Sequence, residues 1–232
     1  MSPLNAFVRR SLWDVVAREQ RDTPAQLRRR QVVTAVVVVV GAIVLALSLR
    51  LEPGSPWFYP ATFGLAGVWA VGAFASGPLH LGRIAARDMH VRPIVQPLLI
   101  GAAVAAVFVV GALIVREIDP LAEQVVNVLG FATEGALPVL VVVTTVNGIA
   151  EELFFRGAAY AAITAHPVAW TTVMYTVATA ATGNIMLSFA AVLLGVLVGL
   201  QRRASGGILA PIITHCTWSL TMLLALPPIF GA

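Results

Sequence analysis

Residues 137–165 read LPVLVVVTTVNGIAEELFFRGAAYAAITA. The stretch is apolar on both sides of three charges, Glu151, Glu152 and Arg156. At about 1.5 Å per residue, a helix over this range is long enough to cross the ~30 Å hydrocarbon core of a bilayer. A charged side chain at the centre of such a span costs about 2.5–3.5 kcal/mol on insertion scales. The cluster therefore needs a compensating reason, and helical spacing supplies part of it. Glu152 and Arg156 are four apart and share a face, so they can form an ion pair. Glu151 lies about 100° round the helix, on a face with Asn147 and Thr144. One carboxylate is thus neutralised and the other is presented beside polar neighbours, a placement suited to a general base. The competing reading is a buried polar knot that only fixes helix packing. Against it, Gly195-xxx-Gly199 in a later span already offers a close-packing face.

Outward from this helix the chain keeps the same character. Of its 232 residues 59% are hydrophobic and 11% charged, where a soluble domain of this size carries about 25% charge. Spans are expected at about 32–49, 57–77, 93–115, 137–165, 168–183, 185–201 and 208–226. The expected fold is all-α: a polytopic membrane bundle of about seven transmembrane helices. Trp57 and Tyr59 suit an interface. Pro53 to Pro56 reads as a tight loop, 116–136 as the longest loop, with Asp119, Glu123 and Glu134, and Pro227-Pro228 as the end of the last helix. Residues 1–31 form a basic segment, amphipathic through Phe7, Val8, Leu12, Val15 and Val16, expected either to lie on the membrane surface or to be a mobile cytosolic tail. Residues 32–228 form the membrane domain. No cleavable signal sequence is expected, because the first 30 residues are too long and too charged for one.

All 15 basic residues are arginine; with the Ala, Val and Gly content this points to a GC-rich bacterial genome. With the N-terminus in the cytoplasm, every arginine except Arg50, Arg116 and Arg156 falls on the cytoplasmic side, which predicts a plasma-membrane protein with its C-terminus outside. The arginines flank spans, so the net charge of +4 is not read as a nucleic-acid surface. Cys216 is the only cysteine, which excludes an intrachain disulfide.

Partners for Glu151 are sought at the same depth. Counting from the cytoplasmic ends, Glu151 lies about 20 Å in, Thr179 about 16 Å and His215 about 10–15 Å. These three are expected to converge. Ser219 shares a helix face with His215. His80 and His90 fall in a loop, His166 ends the Glu151 helix too far along to share its site, and Cys216 is assigned to packing.

The constellation resembles the CPBP family of intramembrane proteases, also called the CAAX-protease and bacteriocin-processing, or Abi, family. That family carries EExxxR, FxxxH, and HxxxN or HxxxD on successive helices. The first motif is matched by Glu151-Glu152-Leu153-Phe154-Phe155-Arg156, and the third is half matched at His215 within GGILAPIITH. The resemblance covers about residues 137–226. Two positions depart from it: Thr179 stands for the second-motif histidine and Ser219 for the third-motif asparagine or aspartate. The resemblance implies an endopeptidase acting on a membrane protein or peptide. Glu151 would activate water, Glu152 and Arg156 would orient it, and His215 with Ser219 would stabilise the oxyanion. A divalent metal such as zinc would have only Glu151, Glu152 and His215 as ligands, which disfavours a tightly held ion. A pseudo-protease that binds membrane partners without hydrolysis is the main alternative; a transport or proton-relay component is a third, disfavoured by the lack of inverted repeats.

Overall fold

The computed structural model describes residues 2–16, 22–48, 51, 55–86, 89–133 and 136–231. Arg18, Arg21, Arg50, Arg87 and Glu134, and positions 53 and 54 of the expected tight loop, lie outside the described residues.

The chain folds as a helical bundle. Six helices are long and apolar enough to cross a membrane: α2 (Pro24–Ser48), α3 (Phe58–Ser76), α4 (Val95–Val115), the continuous helix Leu137–Ala162, α9 (Ile185–Ser205) and α10 (Leu209–Phe230). The fourth of these consists of α6 (Leu137–Glu152), a π-helical stretch Leu153–Ala159, and α7 (Tyr160–Ala162). The expected fifth span is α8 (Pro167–Ala180), only 14 residues, or about 21 Å. It starts beside the Ala162 end of the preceding helix and leads, through Asn184, to a contact with Gln124 at the opposite end. Six helices are thus long enough to cross a membrane, and α8 is a seventh, shorter helix between the fourth and fifth of them.

The outer surface is built for lipid. Val32, Val36, Val39, Ile43 and Leu47 on α2, and Leu99, Val107, Val110 and Ile114 on α4, are all exposed. A contiguous apolar surface of this extent is foreign to a soluble monomer.

One end of the bundle gathers the described arginines other than Arg116 and Arg156. Arg30, buried there, donates to Asp22 at 2.7 Å and to the hydroxyl of Ser76 at 3.3 Å. The basic loop after α3 is ordered as a hairpin, β1 (Ile84–Ala86) antiparallel to β2 (Met89–Val91), with Ala85 opposite His90. It docks on the α9–α10 turn through Arg83 N–H to Ser205 O at 2.8 Å and Ile208 N–H to His80 O at 2.9 Å. A Cβ on Gly207 would fall onto the Leu81–Gly82 backbone, so only glycine permits this approach.

Several expected boundaries are corrected. The N-terminal segment is not one amphipathic run. It holds α1 (Pro3–Leu12), capped by Ser2 and packed on α9, where Val16 N–H donates to Ala204 O at 3.0 Å, and helix α2 begins at Pro24. Residues 116–136 contain a helix, α5 (Asp119–Thr133). The basic loop expected at 201–207 is helical to Ser205, and Arg202 is buried rather than interfacial. Pro227 and Pro228 lie inside α10, which closes at Gly231 in a left-handed conformation.

Candidate active site

Glu152 sits at the point where α6 passes into the π-helical stretch, and every residue from Phe154 to Tyr160 is buried. Such a stretch, surrounded on all sides by α2, α3, α8 and α9, leaves Arg156 no route to water. Its guanidinium turns back one turn to Glu152, Nη1 to Oε1 at 3.0 Å, with both side chains fully buried. Nη2 donates to the Gly195 carbonyl of α9 at 3.3 Å. The expected ion pair is thus present, and α9 shares in it. Gly195 permits this: a Cβ there would lie 3.0 Å from Thr172 Cγ2 and 3.4 Å from Arg156 Nη2. Arg202 fixes the same stretch from α9 by donating Nε–H to the Arg156 carbonyl at 2.6 Å.

His215 completes the cluster from α10. Its Nδ1 lies 2.8 Å from Glu152 Oε1. Because that carboxylate already accepts from a guanidinium, the hydrogen is assigned to Nδ1. Nε2 faces the other way, 4.0 Å from Glu151 Oε2. The preceding residue anchors α10: Gln201 donates to Thr214 Oγ1 at 2.8 Å, and Thr214 donates to Pro97 O of α4 at 2.9 Å. This chain of bonds across three helices sets the depth and rotation at which His215 is presented.

Glu151 is the one cluster carboxylate that reaches the bundle surface, its side chain 21% exposed against 0% for Glu152. It accepts a hydrogen bond from Tyr175 Oη at 2.8 Å. Tyr175 stands at the first position of the second motif, and its ring lies 4.9 Å beneath the Arg156 guanidinium carbon and edge-on to Phe155 at 5.0 Å.

Of the residues expected to converge, Glu152, Arg156 and His215 are joined by hydrogen bonds, and Glu151 stands beside them, 4.0 Å from His215 Nε2 and bonded to Tyr175. Thr179 and Ser219 do not enter that network. Thr179 donates to the Tyr175 carbonyl of its own helix at 2.9 Å, and Ser219 is half-buried one turn beyond His215. Asn147, also expected beside Glu151, donates to Val143 O at 3.0 Å. Cys216 packs on α6, its Sγ 3.9 Å from Thr145 O. Tyr175, Arg202 and the Gln201–Thr214 link were missed by sequence reasoning. For Tyr175 a signal existed, since a tyrosine hydroxyl in an apolar span requires a partner.

Glu151, Glu152 and His215, the candidate metal ligands, do not converge on one point. Among the described residues no group of three His, Cys, Asp or Glu side chains is placed to hold one. The reason is geometric: the two carboxylates lie on opposite nitrogens of the His215 ring. An ion on Nε2 would meet Glu151 but not Glu152, short of the three protein ligands a catalytic zinc needs.

Residues 133–221 match the family profile described as type II CAAX prenyl endopeptidase, Rce1-like. The matched segment contains Glu151, Glu152, Arg156, Tyr175 and His215, and it agrees with the family that the motifs indicate. No curated protein and no solved structure matches the chain.

Proposed function

We propose, from the match of residues 133–221 to a CAAX endopeptidase family, that this chain is an intramembrane endopeptidase using Glu151 as its base. The observation that carries the reading is the 4.0 Å gap between Glu151 Oε2 and His215 Nε2. It is too long for a direct hydrogen bond and suits one water held about 2.8 Å from each. The mechanism requires Glu151 as a carboxylate and a hydrogen on each ring nitrogen of His215, so that an acceptor and a donor flank that water. In that state Glu151 takes a proton from the water as its oxygen attacks the peptide carbonyl carbon. The Nε2–H of His215 donates to the oxyanion. The carbon–nitrogen bond then breaks, and the proton held on Glu151 passes to the leaving amine. Glu152 and Arg156 hold the imidazole with Nδ1–H inward and Nε2 toward the substrate. The substrate is a peptide segment of a membrane protein, and the arginine-rich end of the bundle faces the cytoplasm of the cell whose plasma membrane holds it.

The test is cleavage of a membrane-anchored peptide library by the full chain in liposomes, with products read by mass spectrometry. Wild type is expected to cleave, and Glu151→Gln to lose at least ~10³ of the rate while inserting normally. Equal cleavage by the two sinks the proposal.

A second reading is favoured by Thr179, whose hydroxyl is turned onto its own helix where the family has a histidine. A pseudo-protease of this fold would bind a membrane partner without hydrolysis. Its mark is a partner that co-purifies with wild type and with Glu151→Gln alike, with no cleavage by either.

A further inference from the structure

We propose that Tyr175 is a positioning residue for Glu151, its phenol hydroxyl holding the carboxylate in the orientation that faces His215. The inference rests on the endopeptidase reading above.

Among the described residues Glu151 has no salt-bridging arginine of its own, because Arg156 is committed to Glu152 and the Gly195 carbonyl. Without a partner, a carboxylate with 21% of its side chain exposed would rotate freely about its terminal bonds. The Tyr175 hydroxyl removes that freedom by donating to Oε2 at 2.8 Å, the oxygen that lies nearest His215 Nε2. A carboxylate oxygen has a second lone pair, so Oε2 can still accept from the water between it and His215.

The donor itself is rigidly placed. Its ring packs against the Arg156 guanidinium at 4.9 Å and edge-on to Phe155 at 5.0 Å. The guanidinium over the ring face is a cation–π contact. Arg156 thus serves both carboxylates: it neutralises Glu152 directly and orients the phenol that holds Glu151. On α8, the Tyr175 carbonyl accepts from Thr179, so the neighbouring hydroxyl is occupied and does not compete for the carboxylate. A tyrosine and a carboxylate from different helices, bonded inside an apolar bundle, need each other, because either group alone would be desolvated without compensation.

Tyr175→Phe keeps the ring, its packing and the cation–π contact, and removes only the hydroxyl. Two measurements on the full chain in liposomes test the proposal. The first is infrared: the Glu151 carboxylate band is isolated by subtracting the spectrum of the corresponding Glu151→Gln protein. It is expected to be displaced by Tyr175→Phe, because a phenol hydrogen bond polarises the group; an unmoved band overturns the hydrogen bond. The second is kinetic. Tyr175→Phe is expected to lower kcat about 10- to 100-fold, the range for loss of a hydrogen bond to a charged group, with KM unchanged. A displaced band with unchanged kcat, or a raised KM with unchanged kcat, overturns the positioning role and leaves the protease reading intact. Absence of cleavage by wild type overturns that reading, and this inference with it.

Discussion

Glu152 is the most constrained residue of the cluster. Its Oε1 receives both Arg156 Nη1 and His215 Nδ1, at 3.0 and 2.8 Å, with no exposure to solvent. Two cationic or polar donors on one buried oxygen make its charge dependent on both. Removing Arg156 leaves Glu152 ionised and uncompensated, or forces it to take a proton and release His215. Arg156→Met, which keeps most of the volume, is therefore expected to destabilise the protein by about 3–5 kcal/mol, the range for breaking one side of a buried pair. Thermal unfolding in detergent checks it. A loss below 1 kcal/mol would mean that the pair contributes little beyond packing. The ion pair was legible in the sequence, because a four-residue spacing within one helix fixes the relative direction of two side chains. The partner of Glu151 was not, because it comes from another helix.

At the scale of elements, the layer that holds Glu152 and His215 depends on how closely helices approach. The anchor of α10 against α4 uses Gly101, where an added Cβ would come within 2.8 Å of Thr217 Cβ and 2.9 Å of the Thr214 carbonyl. That carbonyl is helix backbone and cannot yield. Gly101→Ala is expected to cost about 1–3 kcal/mol through overpacking, and to lower activity by moving His215. Gly148 provides the contrast. A Cβ there would meet Cys216 Sγ at 3.4 Å, an ordinary contact, so Gly148→Ala is expected to leave the melting temperature unchanged or slightly raised. Melting curves of the two variants side by side separate the effects; equal shifts would show that the α4–α10 approach does not govern stability. The π-helical stretch belongs to this scale too. π-bulges are frequent at functional sites, and this one begins immediately after Glu152. Neither the bulge nor helix α5 has a sequence signature as clear as that of a membrane span. The first is set by packing on all sides. The second is amphipathic and charged at its start, which reads as a loop when apolar length is the criterion.

At the scale of the whole molecule, the passes alternate between an arginine-rich end and an arginine-poor one. Arg9, Arg30, Arg83 and Arg203 gather with the start of α2 and the end of α9, while Asn184 and Gln124 meet at the other end. The N-terminal segment packs against Ala204 near the end of α9, whereas α10 runs 22 residues away from the adjoining turn, so the two ends of the described chain lie at opposite ends of the bundle. Reporter fusions at the two termini are expected to report opposite sides of the membrane, with the N-terminal side cytoplasmic. The same side for both would mean that α8 does not cross. A helix of about 21 Å against a ~30 Å core implies local thinning of the bilayer beside it, and α8 is the helix that carries Tyr175. The short helix therefore lies next to the site where hydrolysis would require water.

The sequence by itself determined that this is a polytopic membrane protein, where most of its passes run, and that Glu152 pairs with Arg156. Those conclusions depend on apolar length and on angles within a single helix, both local quantities. Only the tertiary structure decided which residue faces Glu151. Thr179 and Tyr175 are one turn apart on one face of α8, and counting depth placed only Thr179 near the carboxylate. The rotation and height of α8 are set by its contact with α9 at Gly195 and Gly199, and they bring the longer tyrosine, not the threonine, to the carboxylate. The division of the two carboxylates between the two nitrogens of His215 was decided in the same way, by the bonds that hold α10 against α4 and α9.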